Sequence, residues 1–340
     1  MKNPKRKYLL TTILATICLI IFFYGKVIES PNQYLFAGKG DGFTAYFNST
    51  WNIKYDSSYT QFTGSNYPYG EHAVYSEYRL LITNSIKAIG NIFPNIKDQN
   101  IAITNLSILL SILISAIFIW LITNELGVKK WLGVTAAIGI TFLAPQVGRF
   151  DNHLTLTYMN CFPMTWFFLI KYFQNRGKWK WSILLSLNTL GWFFVHSYLG
   201  LLAALFTGAF WVVWFLKKQE WKNITNYLHF GIQLALPLIF FMGFVKMTDI
   251  HEGRTKNPLG FLLYNGEPDD IFIPHHPPLR PLLNYFFEIH QKWEAWAYVG
   301  LLTTLGLLFL IFHFIKKGKE QKRFYPKLDW LQNEHLKIAL

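Results

Sequence analysis

Asp41 lies between Gly40 and Gly42, at the head of a stretch running from Gly38 to His72 in which polar, titratable and aromatic residues crowd together between two long apolar runs. Residues without a Cβ let the backbone approach a ligand closely. A carboxylate held there, at a membrane surface, can act as a general base: it takes the proton of an acceptor hydroxyl or amine, which then attacks an activated carbon. The leaving group of such a reaction needs a counter-charge. If it is a lipid phosphate, Arg149, Arg254 or Lys256 could supply one, arginine through a bidentate fork and lysine as a point charge. The structural role open to Asp41 is the N-cap of a helix that Phe43, Phe47 and Trp51 mark by their spacing.

Other clusters of titratable residues are Glu71-His72, Asp151 with His153, His196, and His251 to Arg254. Each has a structural use as well: Asp151 as the cap of a following helix, His196 as a turn residue, Glu71-His72 as part of a solvated loop. Asp41, Asp151 and His153 could ligate a divalent ion if the fold brings them together. Tyr46, Trp51, Tyr67 and Tyr69 offer flat faces to a ring-shaped substrate, although Tyr and Trp also populate membrane interfaces without one.

The elements that must position these residues are set by hydropathy and charge. Apolar residues make up 52% of the 340-residue chain and charged residues only 15%, the latter in short bursts between apolar runs. That pattern describes an all-α, multi-pass membrane protein. The net charge of +13 follows topology and not nucleic-acid binding, because Lys and Arg gather at the ends of alternate spans. Cys18 and Cys161 both fall inside apolar runs, so neither a disulfide framework nor a thiolate metal site is expected. The chain carries no phosphate-loop and no dinucleotide motif, which excludes the common nucleotide-driven pumps.

Lys2, Lys5, Arg6 and Lys7 precede a span from Tyr8 to about Ile28, an uncleaved anchor with its N-terminus inside. Residues 29–100 then form a first outer loop carrying an interfacial helix. Further spans are expected at about 101–123, 131–144 and 156–173, two more within 181–216 with His196 at the outer turn between them, and then at 229–247 and 297–315. Between the last two lies a second large outer segment, 248–296, dense in Pro, His and acids. The whole is one transmembrane domain of about eight helices, with 316–340 as a cytoplasmic tail or the start of a further element of a fold cut short at Leu340. Every titratable cluster named above falls on the outer side.

A basic N-terminus, one span, a long outer loop opening on an acidic residue, and many further spans with short turns and a late large loop resemble the GT-C integral membrane glycosyltransferases. The Gly-Asp-Gly entry, Asn66-Tyr-Pro-Tyr-Gly-Glu-His72, His196-Ser-Tyr198 and Trp293-Glu-Ala-Trp-Ala-Tyr-Val-Gly300 are similar to the bacterial YfhO-like branch. The resemblance implies a polyprenyl-phosphate sugar as donor and an inverting transfer to a glycan, lipid or protein acceptor on the outer face of a bacterial cytoplasmic membrane. It puts Asp41 in the place of the catalytic acid and Asp151 in that of a second acid, with Glu71, His72, Arg149, His153, His196, Arg254, Lys256, Tyr67 and Tyr69 around the substrate. Some relatives pair two adjacent acids where this chain has a lone Asp, which leaves a divalent metal optional. A transporter or flippase, or an assembly subunit without chemistry, is the alternative. Few ionisable residues lie deep in a span and no inverted repeat is evident, which weighs against a transporter.

Overall fold

The computed structural model describes residues 4–218, 222–254, 267–275, 279–289 and 298–321. Lys256, most of the Trp293–Gly300 motif, Lys322, Arg323 and the segment ending at Leu340 lie outside the described residues. The chain divides into two compact units, the first running to His251 and the second beginning at Glu252.

The first unit is helical: α1 Pro4–Glu29, α2 Gly40–Lys54, α3 Leu80–Ile92, the single turn α4 Asn95–Asp98, α5 Asn100–Glu125, α6 Lys130–Phe142, α7 Cys161–Gln174, α8 Trp179–Val195, α9 Ser197–Lys218, α10 Ile224–Phe230, and α11 Leu236–Thr248. A π turn, Gly231–Ala235, joins α10 to α11. Among the described residues, the one sheet is a two-residue antiparallel pair, β1 Gln61–Phe62 with β2 Glu71–His72. In the second unit a 3-10 turn, Pro268–Ile271, is followed by α12 Leu279–Leu283 and α13 Leu301–Gln321.

Among the described residues, five helical stretches, Lys5–Glu29, Asn100–Glu125, Lys130–Arg149, Ser197–Lys218 and Ile224–Thr248, are long and apolar enough to cross a membrane. The fourth expected span is shorter than its apolar run. The chain from Leu154 to Leu156 is a 3-10 turn and regular helix begins only at Cys161. The 14 residues of α7 rise about 21 Å, short of a hydrocarbon core of about 30 Å. What that segment does instead is turn Thr155 inward, where it is buried.

α5 is the central post, packing on α1, α6 and α7 and, at one end, on α2 and α3. It buries Thr104, Asn105, Ser111, Ser115 and Ala116, the small and weakly polar residues that let apolar helices approach closely. α8 and α9 form a hairpin broken at the single extended residue His196. A Cβ at Gly200 would lie 2.4 Å from Cγ of Phe193 and 2.6 Å from its Cα. The hairpin closes because that Cβ is missing. Toward the far end, Trp211, Trp214, Phe210, Tyr172 and Phe173 pack as one buried cluster. Beside it, Trp211 Nε1 donates to Gln233 Oε1 and Gln233 Nε2 donates to Ser182 Oγ, both at 2.8 Å. The charge there is paired, with Lys171 Nζ 2.7 Å from Glu125 Oε1.

The segment between α1 and α5 is fixed by hydrogen bonds. Asn105 donates to the carbonyls of Pro31 and Tyr34 and accepts from the Tyr46 hydroxyl. Lys54 pairs with Asp98 at 2.7 Å. α2 is the helix expected from Phe43, Phe47 and Trp51, and Phe43 and Phe47 are exposed on it.

Candidate functional site

Gly40 and Gly42 place Asp41, each for its own reason. Gly40 begins α2 at φ 60°, a left-handed backbone that glycine adopts without a Cβ penalty. A Cβ on Gly42 would lie 2.3 Å from Cβ of Ala37 and 3.0 Å from the carbonyl oxygen of Asn152. Its absence lets the first turn of α2 rest directly on the Arg149–His153 segment. The close approach that the Gly-Asp-Gly pattern suggests is therefore to the protein's own backbone. Asp41 is also not the cap: the N-cap residue is Lys39, and no side chain caps that end. Asp41 sits in the first turn, where a negative charge is favoured by the helix dipole. Its Oδ2 is 3.5 Å from Nδ1 of His153.

A second carboxylate–imidazole pair adjoins the first, and its acid was not among the residues singled out above. Glu77 Oε1 is 4.0 Å from Nε2 of His196, and Glu77 Oε2 accepts from the Thr155 hydroxyl at 3.2 Å. The Tyr198 backbone N–H donates to Nδ1 of His196, so in the neutral ring the proton sits on Nε2, toward Glu77. Glu77 itself is held at φ 47°. For a residue with a Cβ that conformation costs roughly 1–2 kcal/mol, and such outliers gather at functional sites.

Burial raises the Glu77 carboxyl's pKa, but the nearby His196 imidazole, the Thr155 hydroxyl and the charge of His153 outweigh it, and the net position is below the usual carboxylate value. His153 thus acts on both acids, which joins Asp41, His153, Glu77 and His196 into one electrostatic group. Linkage fixes the sign of a pH effect. A depressed folded pKa contributes stability that is present above the ordinary value of 4.5 and is lost as pH falls through the folded value. Thermal unfolding of the parent and of Glu77→Gln should therefore differ most near neutrality and converge as pH drops below the ordinary carboxylate range. A gap that widens on acidification would show that His196 and Thr155 do not hold the charged form.

Glu77, His196, Ser197 and Tyr198 line a cavity of about 490 Å³ together with Phe193, Phe194, Leu238, Phe241 and Met242. That is an amphipathic cavity of ligand size. Arg79, two residues beyond Glu77, is fully buried. One of its N–H groups donates to Ser49 Oγ at 3.2 Å, while Nε and Nη1 make no hydrogen bond.

The remaining sequence-predicted residues are placed as follows. Asp151 is exposed and lines a different cavity, of about 550 Å³, with Lys26, Tyr34 and Phe36. Arg149 is half-buried at the end of a 3-10 turn beside it. His72 is buried, its Nε2 2.9 Å from the Thr248 hydroxyl and its Nδ1 accepting from the Val74 N–H, so it joins the loop to the end of α11 and does not line the cavity with Glu77. Glu71 accepts from the His72 N–H, and Tyr67 and Tyr69 are exposed. Arg254 is an exposed residue of the second unit. Asp41, Asp151 and His153 do not form a ligand set. Among the described residues, the group of three or more His, Cys, Asp or Glu whose ligand atoms converge is Asp269, Asp270 and His275.

Residues 12–333 match the model of a protein family described as a domain of unknown function, DUF6311. No curated protein and no solved structure matches the chain.

Proposed function

With the chain a member of the DUF6311 family, we propose that it is a glycosyltransferase of the GT-C kind, moving a sugar from a polyprenyl-phosphate donor to a glycan, lipid or protein acceptor on the extracytoplasmic face of a bacterial membrane. The observation that carries the reading is the pairing of two carboxylate–imidazole dyads, Asp41–His153 and Glu77–His196, with an apolar-walled cavity at the second of them. Asp41 is the general base. It takes the proton of the acceptor hydroxyl, the acceptor oxygen bonds to the anomeric carbon, and the bond from that carbon to the phosphate oxygen breaks, releasing polyprenyl phosphate. Glu77, whose depressed pKa suits an anion that stays ionised, faces His196 in the lining of the cavity. The aromatic and aliphatic wall suits the first isoprene units of the donor.

The topology that goes with this reading has the N-terminus in the cytoplasm and eight crossings, α13 and the short helices α7 and α8, around which the bilayer thins, being added to the five stretches named above. It places 29–100 and 248–296 outside, because Lys129-Lys130, Arg176, Lys178 and Lys217-Lys218 then all lie inside. No nucleic acid is a partner in it.

The test is transfer by the purified full chain in proteoliposomes, offered a panel of polyprenyl-phosphate sugars and scored by release of free polyprenyl phosphate. Donor-dependent release with sugar found on an added acceptor is expected. Movement of intact donor between leaflets without cleavage would sink the transferase reading in favour of a flippase, and inertness toward every donor would favour an assembly subunit.

A further inference from the structure

Between Glu267 and His275 the second unit makes a proline-bounded turn, Glu-Pro-Asp-Asp-Ile-Phe-Ile-Pro-His. Pro268 opens the 3-10 turn, and Glu267 and Asp270 close a reciprocal capping box around it. In that box Oδ2 of Asp270 accepts from the Glu267 N–H at 2.6 Å. One carboxylate oxygen is thus used to fix the side chain. The other, Oδ1, lies 3.4 Å from Nε2 of His275, and the same Nε2 is 3.4 Å from Oδ2 of Asp269. All three ligand atoms fall within 4.8 Å of one another. The Asp270 and His275 side chains are 1% and 4% exposed, and Asp269 is 38% exposed.

These separations are too long for charge-assisted hydrogen bonds, which run about 2.7–2.9 Å. The two Asp–His separations match the edge of a coordination tetrahedron, since ligands about 2.0–2.1 Å from a zinc ion stand about 3.3–3.4 Å apart, and the two carboxylate oxygens lie within 4.8 Å of each other. An imidazole in the set selects for a transition ion over calcium or magnesium, which take oxygen ligands. The bond from Glu267 N–H to Asp270 is the kind of outer contact that orients a ligating carboxylate.

We propose that Asp269, Asp270 and His275 bind a divalent transition-metal ion, zinc foremost. The site does not rest on the transferase reading.

Metal analysis of the full chain, purified in detergent from zinc-supplemented cells and dialysed against metal-free buffer, is expected to find about one zinc per chain. Asp270→Asn and His275→Gln should each lower retention at least tenfold, as a lost ligand costs no less than a lost outer contact. His251→Gln, outside the set, should leave it unchanged. Apo protein reloaded with Co²⁺ alone should show the visible absorption of a four-coordinate ion, absent from both ligand variants. Zinc content equal in the parent and in Asp270→Asn/His275→Gln would overturn the site. If the buried variants do not fold, as judged by gel filtration and circular dichroism, the partly exposed Asp269→Asn takes their place, and undiminished zinc in that folded variant overturns it equally.

Discussion

Asp41→Asn should leave a folded, inserted protein whose sugar transfer is slower by roughly two orders of magnitude or more, the usual cost of removing a general base. The expected stability change is small for three reasons. Asp41 is not the cap of α2, its side chain is 62% exposed, and an exposed ion pair together with a first-turn dipole contact is worth about 1 kcal/mol or less. Asn keeps the shape and cannot accept a proton at neutral pH. Asp41→Glu should also be poor, because the added methylene moves the carboxylate about 1 Å, and errors of that size can cost about a hundredfold. Turnover by purified protein and thermal unfolding in the same detergent separate the two effects. A well-folded Asp41→Asn protein with the parental rate would pass the role of base to Glu77.

Gly42→Ala is expected to damage both fold and turnover, although it adds only one methyl group. The new Cβ meets Cβ of Ala37 at 2.3 Å and the Asn152 carbonyl at 3.0 Å, atoms fixed to backbone that cannot swing aside. The first turn of α2 must lift from the Arg149–His153 segment, at a cost of about 1–3 kcal/mol for an overpacked contact. Asp41 moves with it, away from His153, and turnover should fall by roughly a hundredfold for a shift near 1 Å. Ala37→Gly in the same chain removes the nearer clash and should restore part of both losses. Gly38→Ala, where nothing lies within 4 Å, is the silent control. Parental turnover in Gly42→Ala would mean that the spacing of Asp41 and His153 does not matter to the reaction.

The long helices were legible because each is a run of apolar residues bounded by charge, and the break at His196 because the run from Trp181 to Leu216 is too long for one crossing. α2 was legible from its aromatic spacing. Asp41, His153 and His196 were singled out, whereas Glu77 and Thr155 were not. Glu77 lies in an aperiodic loop, and its partner Thr155 is 78 residues away, so no local pattern joins them. The only hint was an acid set between Tyr75 and Tyr78 just ahead of a helix. The solvated-loop reading of Glu71-His72 did not anticipate the burial of His72, which follows because the two-residue strand alternates and its inward position falls on the histidine. The start of α7 was misplaced because hydropathy does not separate a helix from the 3-10 turn that carries Thr155. Asp269, Asp270 and His275 were visible only as part of a segment rich in Pro, His and acids, since ligand geometry depends on the turn that Pro268 and the capping box make.

The clasp between the first loop and the end of α11, in which Gln61 Nε2 donates to the Thr248 carbonyl at 2.7 Å and His72 meets the Thr248 hydroxyl, joins positions 187 and 176 apart in sequence. Contacts of such high order form late, because the intervening chain must first be made and its loop-closure entropy overcome. At translation rates of about 5–20 residues per second, Gln61 waits roughly 10–40 s for Thr248 to emerge. Through that interval α11 is missing, and with it the cavity wall of Leu238, Phe241 and Met242. The order of biosynthesis therefore withholds a finished cavity from a nascent chain until its first 248 residues have been made and packed.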